Sequence, residues 1–222
     1  MTQSSTLPPC LLPQARLSEL VDALVEQGWF VGEDFIDMPL CAELHQELTA
    51  MAARDELDAA GIGRGQAHTL RRDIRGDAIR WLDRKSQAQR RYLDAMAALQ
   101  KELNLALFLG LFEYEAHFAR YPPQAFYQRH LDSFHGRANR VISTVSYLNP
   151  DWPSDAGGEM VIFAADDPQR EMVRVRPTAG TFACFLSETI PHEVLPTRLP
   201  RASIAGWFRR NASLGGLIDP AH

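Results

Sequence analysis

The stretch FYQRHLDSFHG, residues 126–136, places His130, Asp132 and His135 within six positions. Imidazole nitrogen and carboxylate oxygen both ligate divalent cations, and on a strand residues two apart point the same way. His130 and Asp132 meet that parity and His135 does not. A turn after Asp132 would bring His135 back into range, so parity alone leaves both pairings open. A three-ligand site needs one more residue from elsewhere. Among the other histidines, His45 falls in a helical pattern, His68 in a glycine-rich segment, and His222 ends the sequence; His117 is the fourth. His192 stands in SETIPHEVLP, directly after the apolar run GTFACFLS and before a further strand, where a β scaffold can hold it rigidly.

Two imidazoles and one carboxylate form the facial set of non-haem iron(II) oxygenases, which leaves coordination positions open for other ligands. The same donors suit zinc hydrolysis, so the set does not fix the reaction. Arg201 discriminates. It opens RASIAGWF, where alternation puts Arg201, Ser203, Ala205 and Trp207 on one face. A guanidinium turned into a β core requires an acidic partner, because a buried unpaired charge is costly. A dicarboxylate co-substrate would supply that acid.

The elements that must position these residues follow from periodicity. Leu17, Leu20, Val21, Leu24 and Val25 form a helical stripe that Gly28 ends, and WFVGEDFI reads as a strand. A second helix is predicted from Pro39 through Leu40, Leu44, Leu48 and Met51, and a third over residues 87–111 through Tyr92, Leu93, Met96, Leu99 and Leu103. Between them, residues 58–77 carry Gly61, Gly63, Gly65 and Gly76 among arginines and read as a mobile loop. From residue 112 on, short β-rich runs dominate: NRVISTVSYLN, GGEMVIF, EMVRVRP, GTFACFLS and ASIAGWFRRN. The expected fold is α+β: a double-stranded β-helix, or jelly roll, with the N-terminal helices packed on one sheet. Residues 1–14 are expected to form a flexible arm, 15–212 a single domain, and 213–222 a tail.

Composition narrows the function classes. With 222 residues and 45% apolar content, one sizeable core is the default. A net charge of −5 gives no general footprint for nucleic acid, although Arg71, Arg72, Arg75 and Arg80 crowd one segment. Three cysteines without short spacing indicate neither a disulfide framework nor a thiolate site. With no signal-like start and no long apolar run, a soluble, cytoplasmic protein without a membrane partner is expected.

His130, Asp132, His192 and Arg201, in that order on β-rich segments, resemble the H-x-D…H…R pattern of 2-oxoglutarate- and iron(II)-dependent dioxygenases. DIRGDAIRWLD, YQRHLD, SYLNPDW, GGEMVIF and PHEVLPTRLPR are further similar to segments of the hypoxia-inducible-factor prolyl hydroxylases and their bacterial relatives, over roughly residues 17 to 210. The resemblance implies His130, Asp132 and His192 as iron ligands and Arg201 as the partner of the distal carboxylate of 2-oxoglutarate. It implies Tyr147 as a second donor to that carboxylate, Tyr121 as a pocket tyrosine, and Val145, Met160, Val194 and Trp207 as pocket walls. Asp77 and Arg140 match an acid and a base that pair across the mouth of the site and position the loop at 58–76 over a peptide. Ala205 departs from the animal pattern, which has threonine there, and so does SFHGR after Asp132.

The activity so implied is hydroxylation of a protein prolyl residue at C4, with succinate and carbon dioxide as co-products. Iron(II), 2-oxoglutarate and dioxygen are required, and ascorbate is a candidate reductant. For the bacterial relatives the implied substrate is a translation factor such as elongation factor Tu. Two other readings accompany it: a dioxygenase acting on a free amino acid or small molecule, and a non-catalytic metal-binding β-barrel module. The glycine- and arginine-rich segment favours a protein target over a small one.

Overall fold

The computed structural model describes residues 14–61, 73–133 and 139–210. Among these, three helices and eleven strands form two sheets with the helices against one of them. The helices are α1 (Gln14–Glu26), α2 (Met38–Ala53) and α3 (Gln87–Leu107). The strands are β1 (Trp29–Gly32), β2 (Asp58–Ala59), β3 (Ala78–Trp81), β4 (Glu113–Tyr121), β5 (Tyr127–His130), β6 (Arg140–Tyr147), β7 (Met160–Phe163), β8 (Glu171–Val175), β9 (Phe182–Leu186), β10 (His192–Val194) and β11 (Arg201–Arg209). The larger sheet runs β1-β9-β6-β11-β4-β3-β2 and the smaller β5-β10-β7-β8. Every strand pairing in them is antiparallel. The expected jelly-roll core with helices on one sheet is what forms.

Helix boundaries follow local chemistry. The Ser86 hydroxyl accepts from the Gln89 amide and opens α3, and Phe108 closes it in the left-handed conformation, three residues before the predicted end at 111. Pro39 falls in the first turn of α2. The arm expected over residues 1–14 gives up its last residue to α1; its remainder and the tail at 213–222 lie outside the described residues. WFVGEDFI pairs only as far as Gly32, after which Phe35 and Ile36 turn inward and hydrogen-bond to the Gly180 carbonyl. Part of the predicted loop is strand: Asp58 and Ala59 pair with β3, while residues 62–72 lie outside the described residues.

Strand alternation gives the larger sheet two different faces. Even-numbered residues of β11, namely Ala202, Ile204 and Phe208, meet the helices through Leu20, Leu40, Leu44, Met96 and Leu99 in one apolar core. Burying each such leucine contributes about 2 kcal/mol, so the helices are held by hydrophobic contact. The odd face looks toward the smaller sheet, where Tyr147, Met160, Ile162, Val175, Ala183 and Phe185 make a second core. Arg201, Ser203, Ala205, Trp207 and Arg209 share that inward face, as their spacing predicts. Their partners across β4 are Tyr121, Ala119, His117, Glu115 and Glu113.

Candidate active site

His130 closes β5 and His192 opens β10, and the two are direct partners across the antiparallel pair. Asp132 follows His130 as the chain leaves the strand. His130 Nε2 lies 3.5 Å from Asp132 Oδ1, and His192 Nε2 lies 3.7 Å from Asp132 Oδ2. One ligand atom from each residue falls within 4.8 Å of the others, the one such group of three among the described residues. Donors that each sit about 2.1 Å from a shared ion stand roughly 3 to 4 Å apart, so the spacing fits a single cation.

Both rings are oriented for that task. Nδ1 of His130 is 2.7 Å from the Gln128 carbonyl, and Nδ1 of His192 is 3.2 Å from that of Ile190. A carbonyl only accepts, so Nδ1 carries the proton and the Nε2 lone pair is free for a metal. Burial pushes His192 down to about 4, with His130 adding to the effect and Asp132 opposing it. Burial alone would raise Asp132, but His192 and His130 outweigh it and hold the carboxyl well below its ordinary range. Two imidazole Nε2 atoms and one carboxylate therefore face a common point. Ser143 of β6 donates to Asp132 Oδ2 at 2.6 Å and lies 2.9 Å from the Ser187 hydroxyl, fixing the carboxylate from behind.

Further along the inward face, Arg201 is 1% exposed. Its Nε donates to the Gly158 carbonyl at 2.8 Å and one Nη to Ser203 Oγ at 3.2 Å; it has no carboxylate partner among the described residues. Its guanidinium carbon stands 4.9 Å from the ring centre of Tyr121 and 5.0 Å from that of Tyr147. The Tyr147 hydroxyl is buried without a hydrogen-bond partner, and burial pushes it up to about 12 while Arg201 pulls the other way. A buried cation beside an unsatisfied hydroxyl is a receptor for an anion.

Register sets the depth of each residue. Ser203 pairs with Tyr147, Ala205 with Val145, and Trp207 with Ser143. The Ser203–Tyr147 and Ala205–Val145 rungs thus lie between Arg201 and the Ser143 that holds Asp132, and the Arg201 side chain runs back along that face to Ser203 Oγ. Met160 and Val145 pack with Tyr147, and Val194 with Tyr121, as walls of this space. The side chains present fit both an iron ion and 2-oxoglutarate.

One expectation is corrected. Asp77 and Arg140 do not pair. Asp77 takes a bidentate grip from Arg75, at 2.6 and 2.8 Å, because residues two apart on extended chain share a side. Arg140 instead binds Glu115 at 2.8 Å and lies 3.5 Å over the Trp207 ring. His117, set aside in the sequence, is buried on the inward face between Trp81 and Trp207. His45 is on α2, away from the metal group, and His68, His135 and His222 lie outside the described residues. Sequence reasoning missed Ser143, whose parity with Val145 and Tyr147 was a usable signal; nothing local marked Ser187 or Tyr127.

A jelly roll with two histidines and a carboxylate at one mouth and a buried arginine beyond them defines the class of 2-oxoglutarate- and iron-dependent oxygenases. Residues 116–209 match the 2OG-Fe(II) oxygenase superfamily. A crystal structure of a Pseudomonas putida prolyl-4-hydroxylase superposes with a TM-score of 0.80 at 42% identity, covering 87% of this chain and 99% of that one. The prolyl hydroxylase of Trichoplax adhaerens, solved in complex with a hypoxia-inducible-factor oxygen degradation domain peptide fragment, shares the fold at a TM-score of 0.77 and 24% identity, covering 87% and 88% of the two chains. Human Egl nine homolog 1 is 26% identical over 202 residues, covering 86% of this chain and 46% of that protein. The chain spans about half the length of the curated relatives it matches. It belongs to the 2OG-Fe(II) oxygenase superfamily, and a prolyl-4-hydroxylase is among its relatives there. That family uses iron(II), 2-oxoglutarate and dioxygen. No helix among the described residues is long and apolar enough to cross a membrane.

Proposed function

We propose that this chain hydroxylates C4 of a prolyl residue in a protein, with elongation factor Tu as the first substrate to test. The observation that carries the oxygenase reading is the buried Arg201, without a carboxylate partner among the described residues, on the same inward face as the Ser143 that holds Asp132 of the metal group. When bound, iron and 2-oxoglutarate supply the oxidising chemistry: one atom of dioxygen goes to the prolyl C–H and the other to 2-oxoglutarate, which leaves as succinate and carbon dioxide.

The chain's own residues bind, orient and exclude water. His130, Asp132 and His192 would hold iron from one side, leaving the opposite side to co-substrate and dioxygen. Arg201 and the Tyr147 hydroxyl would grip the distal carboxylate of 2-oxoglutarate, and Val145, Met160 and Val194 would keep water from its methylenes. Tyr121 and Trp207 would border the space in which the proline sits. The identity shared with the Pseudomonas prolyl-4-hydroxylase over 99% of that chain supports proline as the target.

The test is incubation with iron(II), 2-oxoglutarate and either elongation factor Tu, a cell extract or free proline, with succinate release and mass spectrometry read together. Gain of one oxygen on a protein proline is expected. Oxidation of free proline alone would replace the protein reading with the small-molecule one, and activity with zinc in place of iron would end the oxygenase assignment.

A further inference from the structure

The segment 73–77 runs beside β5, the strand that delivers His130. Gly76 donates its amide to the Phe126 carbonyl at 3.0 Å, and Gln128 donates to that of Ile74 at 2.9 Å, so Arg75 and Tyr127 form an antiparallel bridge. Gln128 Nε2 adds a third link, to the Asp73 carbonyl at 2.9 Å. The approach is close enough that a Cβ on Gly76 would lie 3.1 Å from that of Ala125.

On the side of this ribbon facing the site, four side chains stack in sequence. Asp77, fully covered, holds Arg75 in two hydrogen bonds. The Arg75 guanidinium carbon lies 4.9 Å from the Tyr127 ring centre. Tyr127 lies nearly parallel to His130, with centroids 3.6 Å apart and 18° between planes. A face-on stack of that kind removes one direction of tilt from the imidazole, while the Nδ1 bond to Gln128 removes rotation about the ring normal.

We propose that Tyr127, backed by Arg75, is a positioning residue for the metal ligand His130, so that metal loading and the anchoring of residues 73–77 are linked. This rests on the reading of His130, Asp132 and His192 as metal ligands. Linkage is reciprocal: whatever secures the 73–77 ribbon tightens metal binding, and metal binding secures the ribbon by the same factor. The ribbon carries none of the three ligands, and it reaches His130 through the Tyr127 ring and through Gln128, whose carbonyl faces His130 Nδ1.

The experiment uses apo protein and manganese(II) alone, followed by titration and by backbone hydrogen exchange. The wild type should bind the ion, and Asp132→Ala should not. Tyr127→Phe keeps the stack and should bind like wild type, whereas Tyr127→Leu and Arg75→Gln should weaken binding about tenfold, in the range of outer partners of metal-ligating histidines. In wild-type protein, manganese(II) should slow exchange at the Gly76 and Gln128 amides. Affinity unchanged in Tyr127→Leu, or exchange at both amides unaffected by the ion, would overturn the linkage while leaving the metal site standing. A wild type that binds no manganese(II) would overturn the metal reading and the linkage together.

Discussion

Ser143 donates a 2.6 Å hydrogen bond to the Asp132 carboxylate from the neighbouring sheet, and Ser187 stands 2.9 Å behind it. The one carboxylate of the site is thereby tied to β6, while the two histidines ride on β5 and β10. All three ligands come from the smaller sheet or the chain leaving it, and Ser143 ties their geometry to the larger sheet.

Ser143→Ala removes that tie without adding bulk. Because hydrogen bonds to ligating carboxylates orient them, metal affinity should fall about tenfold with the fold intact. Titration of the apo protein with manganese(II), alongside thermal melting, checks this; an unchanged affinity would show that Asp132 holds its orientation through the histidines alone.

Arg201→Gln shortens the side chain and removes its charge. The 2-oxoglutarate KM should rise at least tenfold, since charge-assisted pairing of a buried arginine contributes about 1.5 kcal/mol or more. The metal affinity should stay at the wild-type value. A KM left unchanged would remove Arg201 from the co-substrate pocket.

Much of this site was legible from alternation. Arg201, Ser203, Ala205 and Trp207 share a face because strand parity is strict, and His192 stood out because it borders two apolar runs. The pocket role of Tyr147 came from resemblance alone, since a tyrosine in SYLN could equally fill a core. The partner of Asp77 was misassigned although Arg75, two residues away, already satisfied parity and closes the pair at little cost in chain entropy. The stack of Tyr127 on His130 joins residues three apart on β5, which strict strand parity puts on opposite faces, and the contact of Ser187 with Ser143 depends on the register of β9 against β6, which spacing alone does not give.

Acid should destabilise the apo protein through His117. Burial pushes this imidazole down to about 4, with Arg75 and Arg140 adding to the effect and Asp77 opposing it. In the unfolded chain it titrates near 6.5. Between about 4 and 6.5 the unfolded state therefore binds a proton that the folded state does not. The contribution is full above about 6.5 and is lost as the pH falls toward 4, about 3 kcal/mol for one group over the whole window. His192 acts in the same direction. Denaturant unfolding of the apo protein across this range should show the decline, and His117→Gln should flatten it; an equal slope in the variant would assign the acid lability elsewhere.

Two glycines should separate site from scaffold. Gly158 has φ +74°, and a Cβ there would lie 3.0 Å from Thr197 and 3.2 Å from Arg201 Cδ. Gly158→Ala must disturb the carbonyl that receives Arg201 Nε, so it should raise the 2-oxoglutarate KM and cost about 1 to 2 kcal/mol of stability. Gly206 sits on the helix-facing side of β11, where a Cβ would come 2.1 Å from the Tyr114 hydroxyl. That hydroxyl is buried among Tyr92 and Thr144, at 3.2 and 2.8 Å, and has nowhere to retreat without breaking those contacts. Gly206→Ala should therefore cost about 3 kcal/mol or more and leave the KM of the folded fraction unchanged. Melting temperature and 2-oxoglutarate kinetics on both variants decide it. A raised KM in Gly206→Ala would mean that the two faces of β11 are mechanically coupled.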